Sequence, residues 1–207
     1  MKISYAITVC NEYVEIQKLI STLMLSIREE DEVIVLFDKQ AGTAEVWDYL
    51  VGLQSQDLIK AYPKSFKGHF AQWKNHLTEL CTGDYIFQID ADELVKEEFI
   101  KALPSIFESN SKCELFLVPR INTVEGLTQD HINKWRWNVN DKGWINFPDY
   151  QSRIWKNKAD IEWVNKVHEV LKGYNHYVAL PADELYCLIH PKDIKRQEKQ
   201  NNYYDTL

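Results

Sequence analysis

A chain of 207 residues that is 45% apolar and 13% aromatic can bury one substantial core, which predicts a single domain with an elaborated second half rather than two independent domains. Its formal charge of −7 excludes general nucleic-acid binding through a basic stripe, and strong adhesion of the whole surface to anionic lipid. Cys10, Cys81, Cys113 and Cys187 form no CxxC pair, which argues for reduced core thiols and against a zinc site or a disulfide framework.

The amino terminus reaches Asn11-Glu12 too soon for the apolar stretch of a signal peptide, and no later run approaches a membrane-spanning length, so a soluble cytoplasmic protein is expected. Ile3 to Cys10 is a short apolar run read as a strand. Asn11 follows as the N-cap of a helix with Ile16, Leu19, Ile20, Leu23 and Ile27 at helical spacing. Val33 to Phe37 is apolar without alternation, as a strand buried on both faces of a parallel sheet should be, and it stops at Asp38. A short helix over Thr43 to Val51, a strand from Leu58 to Tyr62 and a helix carrying Phe70, Trp73, Leu77 and Leu80 come next, with Gly83 as the helix terminator. Tyr85 to Ile89 is the fourth strand. This alternation implies right-handed crossovers and an α/β domain whose mostly parallel central sheet is flanked by helices.

Ligands of such sheets bind outside the carboxyl ends of strands, where Cys10-Asn11-Glu12, Asp38-Lys39 and Asp90-Ala91-Asp92 all fall. Each acid alone reads as a turn residue. Together, two aligned strand-end acids and a closely spaced carboxylate pair favour a nucleotide-and-metal site. Carboxylate oxygens suit Mg²⁺ or Mn²⁺, which keep some waters and complete their shells with substrate phosphates. No glycine-rich phosphate loop is present, so a cation and basic side chains would have to neutralise a diphosphate.

Ala6-Ile7-Thr8-Val9-Cys10-Asn11-Glu12, Gly68-His69-Phe70-Ala71-Gln72-Trp73-Lys74-Asn75 and Thr82-Gly83-Asp84-Tyr85 through Asp90-Ala91-Asp92-Glu93 resemble, in order and spacing, a family 2 glycosyltransferase. The blocks Gly143 to Trp155 and Val167-His168-Glu169 are similar to the acceptor side of the lipopolysaccharide-core glycosyltransferases. The resemblance covers nearly the whole chain. It implies the GT-A, Rossmann-like fold over residues 1–207, with a nucleotide-sugar-binding half at 1–93 and an acceptor-side half with a C-terminal helix at 94–207. It also implies a nucleotide-diphospho-sugar donor, usually a UDP-sugar, a Mn²⁺ or Mg²⁺ ion held through the DxD motif, and inversion at the anomeric carbon. The acceptor would be a hydroxyl of a glycan, a glycolipid or a protein.

Carried over residue by residue, the resemblance implies that Thr8, Val9, Cys10, Asn11 and Glu12 line the nucleoside pocket and that Asp38 contacts base or ribose. Phe37-Asp38-Lys39-Gln40 departs from the family pattern, which has an acidic pair followed by Gly-Ser. Lys74-Asn75 stands where the family has Arg-Asn, keeping a cation but losing the planar fork. Asp90, with Ala91 beside it, would reach the ribose or a metal-bound water. Asp92 would ligate the metal, with His168 as a further ligand or phosphate contact. Inverting transfer needs a carboxylate to take the acceptor hydroxyl's proton; Asp149, at the acidic position of the acceptor block, is the first choice, with Glu169 and Glu93 as alternatives. The other reading of Asp149 is a turn acid that orients Arg153, itself assigned to the acceptor side.

Trp135, Trp137, Trp144, Trp155 and Trp163 crowd into one stretch of a chain with seven tryptophans. At least two are expected in the core, and Trp135 and Trp137, placed in a long loop, are the candidates for acceptor contact. Asp193 to Tyr204 reads as a polar helix with Lys192, Lys195, Arg196 and Lys199 near His190; it is either a solvated helix, a cover for the diphosphate or a peripheral contact for anionic lipid. The stop at Leu207 suggests a minimal catalytic domain, and oligomeric state stays open. Two other classes share the pattern: a non-catalytic carbohydrate-binding module, and a sugar nucleotidyltransferase, which would normally carry a glycine-rich loop that Thr8 to Glu12 lacks.

Overall fold

The computed structural model describes residues 1–204; Asp205 to Leu207, the last residues of the expected 1–207 domain, lie outside the described residues. The elements run β1 (Ile3–Val9), α1 (Tyr13–Ser26), β2 (Glu32–Asp38), α2 (Ala44–Gln54), β3 (Lys60–Lys64), α3 (Phe70–Leu80), β4 (Tyr85–Asp90), α4 (Glu97–Ser109), β5 (Leu115–Glu125), α5 (Gln129–Trp135), β6 (Ile145–Lys156), β7 (Glu162–Val164), β8 (Val170–Lys172), β9 (Tyr177–Ala179), β10 (Leu188–Asp193) and α6 (Ile194–Tyr204). The main sheet has the order β10-β5-β6-β4-β1-β2-β3, with β9 also on β5, while β7 and β8 form a small separate ribbon. Strands β3, β2, β1 and β4 are parallel; β6 enters antiparallel between β4 and β5. This is the GT-A arrangement, a mostly parallel sheet with helices on its faces.

Strands β1, β2 and β4 are buried on both sides, which is why they read as continuous apolar runs, whereas β3, at the edge, buries only Ala61. One core packs Ile16, Leu19, Ile20 and Leu23 of α1 and Phe99, Leu103 and Phe107 of α4 against one face of the sheet. On the other face Trp73 and Leu77 of α3 pack with Trp155 and Trp163, which meet edge to face at 5.6 Å. Those two tryptophans are therefore core residues. Among the described residues no helix is long and apolar enough to cross a membrane.

Four local expectations need correction. Glu12 rather than Asn11 caps α1, and it does so without a side-chain bond into the helix. The third strand starts at Lys60 rather than Leu58, because α2 runs on to Gln54 and its exit turn, with Asp57 in the left-handed region (φ 57°), consumes the intervening residues. Gly83 does not terminate α3, which ends at Leu80. A Cβ at Gly83 would lie 2.6 Å from the Ser4 amide nitrogen, so glycine permits the close approach of β1. Trp135 lies in helix α5 and not in a loop: a capping box between Thr128 and His131 forms this helix locally, although it buries none of its residues.

Candidate active site

The parallel register sets the carboxyl ends of β1, β2 and β4 side by side, with Thr8 opposite both Leu36 and Asp90. Above them opens a cavity of about 470 Å³ lined by Thr8, Val9, Cys10, Glu12, Asp38, Lys74, Asp90, Ala91, Asp92, His168 and Glu169, with Phe66, Phe70 and Trp73 forming an apolar wall. The structure thus brings together nearly all of the residues read as donor-binding. Asn11 is exposed and does not line the cavity. Asn75 is also elsewhere: its amide donates to the Trp163 carbonyl (2.9 Å) and accepts from the Trp163 N–H (2.8 Å), clamping β7 to α3.

Each strand end is held by its own backbone. Glu12 accepts from the N–H groups of Cys10 (2.8 Å) and Asn11 (3.1 Å), fixing the turn after β1. Asp38 accepts from the N–H groups of Gln40 and Phe66, so its carboxylate both lines the cavity and holds the loop that carries the aromatic wall. Burial and nearby acids push the Cys10 thiol up to about 11, which keeps it neutral and unreactive.

A second cavity of about 550 Å³ adjoins the first and shares Lys74, Asp90, Asp92, His168 and Glu169 with it; Arg120, Gln151, Arg153, His190 and Lys192 complete its polar wall. Beneath it runs a continuous ionic network. Arg153, 3% exposed, reaches Asp90 Oδ2 and Glu93 Oε1, both at 2.5 Å. Arg120 bridges Glu93 (3.0 Å) and Asp149 (2.8 Å). Burial works to raise the Asp90 carboxyl, but the Arg153 guanidinium outweighs it and keeps Asp90 ionised well below the usual range.

The same network engages two of the three candidate bases. Glu93 is fully buried, accepting from the Asp90 N–H as well as both arginines, and so anchors the DxD turn with no access for an acceptor. Asp149 accepts from Arg120, Asn122 and Gln151, and although burial works against it, the Arg120 charge lowers its pKa; it lines neither cavity. It orients Arg120 and not Arg153. Arg153 faces the second cavity but spends its guanidinium on Asp90 and Glu93.

Glu169 lines both cavities, 2.5 Å from Lys74 Nζ, which also sits 4.4 Å over the Trp163 ring. It follows His168, held in the left-handed region at φ 52°, and Asn165 in the same loop has φ 78°. Such non-glycine conformations cost energy that the surroundings must supply, and they gather at functional loops.

Asp92 does not stand alone. Its Oδ2 is 3.3 Å from His190 Nε2 and 3.2 Å from Arg196 Nη2, and Arg196 also reaches Glu12 (3.1 Å) and Glu15 (3.2 Å), which ties the start of α6 to two acids of the first cavity's lining, Asp92 and Glu12. His190 Nδ1 faces Asn122 Oδ1 at 2.8 Å, so Nδ1 carries the proton that this bond needs, and Nε2 is turned toward Asp92. Among the described residues no three His, Cys, Asp or Glu side chains form a closed metal cage. One carboxylate and one imidazole beside open space nevertheless suit Mn²⁺ or Mg²⁺, which take phosphate and water oxygens for the rest.

Sequence reasoning missed Arg120 and the contact of His190 with Asp92, while His168, read there as a metal ligand or phosphate contact, lines both cavities. An arginine within the apolar run Leu115 to Ile121 signals a buried acidic partner, and the proline after His190 marks an edge strand that delivers it. Trp135 and Trp137 contact each other (4.6 Å between centroids) but line neither of the two cavities.

The family model for glycosyl transferase family 2 matches residues 4–168. Curated protein sequences give no match. Among solved structures, S. aureus TarS 1-349 in complex with UDP superposes with a TM-score of 0.66 at 14% identity, over 92% of this chain and 60% of that one. The TarS 1-349 complex with UDP-GlcNAc gives 0.64 at 14% identity, over 93% and 59%. The chain therefore spans about 60% of TarS 1-349 and 37% of the longer TarS chain, and the likeness is one of fold.

Proposed function

The chain belongs to glycosyl transferase family 2, and on that premise we propose that it moves a sugar, with inversion, from a UDP-sugar to a hydroxyl of a glycan, glycolipid or protein. The observation that carries the reading is the convergence of Thr8 to Cys10, Glu12, Asp38 and the Asp90/Asp92 pair on one cavity at the strand ends. Complexes of TarS with UDP and UDP-GlcNAc support a uridine donor. The finer likeness to lipopolysaccharide-core enzymes favours a glycan or glycolipid acceptor and a working place at a membrane surface.

In this reading the aromatic wall of Phe66, Phe70 and Trp73 and the Asp38 carboxylate hold the nucleoside, and Asp90, fixed by Arg153, orients the ribose or sugar. Asp92 and His190 would hold a divalent ion, which when bound stabilises negative charge on the departing diphosphate. Lys74, with His168 beside it in the cavity, adds positive charge at the same place. Glu169 is the proposed base: it faces both cavities and takes the acceptor hydroxyl's proton as the oxygen attacks the anomeric carbon and the bond to the diphosphate oxygen breaks, with no covalent intermediate. Asp149, saturated by three donors, keeps Arg120 in place.

The test is incubation of the protein with a panel of nucleotide sugars and Mn²⁺, measuring released nucleotide diphosphate with and without chelator. Release that depends on one donor and on the ion supports the reading. Silence across the panel, with sugars binding all the same, favours a non-catalytic carbohydrate-binding module.

A further inference from the structure

A third cavity, of about 230 Å³, lies on the other side of His190 from Asp92. Its floor is the sheet edge where β5 and β10 run parallel, and the register pairs His190 with Asn122 and Lys192 with Val124. Since strand side chains alternate, Arg120, Asn122, His190 and Lys192 share one face. They all line this cavity, together with Trp137 and Asn146. The donor cavity is lined by Glu12, Asp38, Asp90, Asp92 and Glu169; this one has no carboxylate in its wall among the described residues. Asp149 engages Arg120 and Asn122 without lining it.

The roof is built at a conformational cost. Arg136 (φ 55°) and Asn146 (φ 51°) both adopt left-handed backbone. Asn138 N–H donates to Asn146 Oδ1 (2.9 Å), and Asn146 N–H returns a bond to the Asn138 carbonyl (2.7 Å), which fixes the stretch of chain that carries Trp137. A rigid aromatic face, amide side chains and the Lys192 ammonium in a wall that holds no carboxylate are the chemistry of a pocket for a sugar ring with a negative charge.

We propose that this cavity is an acceptor subsite for an acidic sugar, whose ring lies on Trp137 and whose carboxylate or phosphate meets Lys192. The proposal rests on the glycosyltransferase reading, because Arg120, His190 and Lys192 are also part of the second cavity, so a sugar held here continues toward the carboxylates of the donor site.

The experiment is a ligand-observed NMR titration of the protein, with its donor cavity saturated by UDP, using glucuronate, glucose 6-phosphate and glucose as probes. We expect at least one acidic sugar to bind roughly tenfold or more tightly than glucose. The tighter of the two acids distinguishes carboxylate from phosphate. Lys192→Gln should reduce the acidic sugar to the level of glucose, Lys192→Arg should retain the preference, and Trp137→Ala should weaken all three probes; thermal melts establish that each variant is folded. Equal binding of the three probes, no binding of any, or a preference that survives Lys192→Gln overturns the proposal. UDP binding is scored separately: its absence counts against the donor reading, while the ranking of the sugars still decides this one.

Discussion

Glu93→Gln removes the one carboxylate that Arg120 and the buried Arg153 share. Glu93 has no exposure, and it accepts from Arg120 Nη1 (3.0 Å), Arg153 Nη2 (2.5 Å) and the Asp90 N–H (3.1 Å). Breaking a buried ion pair from one side costs about 3–5 kcal/mol when the remaining charge is left uncompensated. Here Arg153 keeps Asp90 and Arg120 keeps Asp149, and the new amide can still accept one bond. The expected loss is therefore about 2–3 kcal/mol. For a domain of this size it corresponds to a fall in melting temperature of roughly 4–12 °C. Differential scanning calorimetry at neutral pH measures it, with Glu97→Gln as the matched control. That variant makes the same charge change in an exposed pair with Lys101, and should cost less than about 0.5 kcal/mol. Should Glu93→Gln melt with Glu97→Gln, the network would contribute no more than a surface pair, and the account of how Asp90 is held would be wrong.

Glu169→Gln should lower transfer by roughly 10²- to 10⁴-fold while UDP affinity, measured by calorimetry, stays near wild type. Asp149→Asn should cost thermal stability more than turnover; a loss of turnover as deep as that of Glu169→Gln would return the role of base to Asp149. Burial works to raise the Glu32 carboxyl, but bonds from Lys2, Ser4 and Thr82 outweigh it and bring it down from 4.5 to about 2. Its stabilisation is therefore complete above pH 4.5 and is lost as pH falls toward 2, up to about 3 kcal/mol by linkage. Acid titration of stability should accordingly be flatter for Glu32→Gln, and parallel curves would contradict the assignment.

The first half of the fold was legible because a parallel strand covered on both faces must be apolar throughout, and β1, β2 and β4 announce themselves in that way. The strand ends then followed, and with them the donor cavity. The second half was harder because its partners are distant in sequence. Nothing local to Asp149 reveals that Arg120 and Asn122 take up its lone pairs, and nothing local to Asp92 points to His190, 98 residues away. Helix α5 escaped for the opposite reason: it is made by its cap and not by an apolar stripe, so hydrophobic spacing gave no sign of it. Trp135 and Trp137 were singled out together, and Trp137 is the one that lines the cavity beside His190.

The central claim is that Asp92 and its neighbours receive a nucleotide diphosphate together with a divalent ion. Calorimetric titration of UDP into wild type and Asp92→Asn, each with and without Mn²⁺, addresses it most directly. The account predicts that Mn²⁺ strengthens UDP binding to the wild type and that Asp92→Asn abolishes this gain. Equal UDP affinity in all four samples, or no UDP binding to the wild type at all, would contradict it.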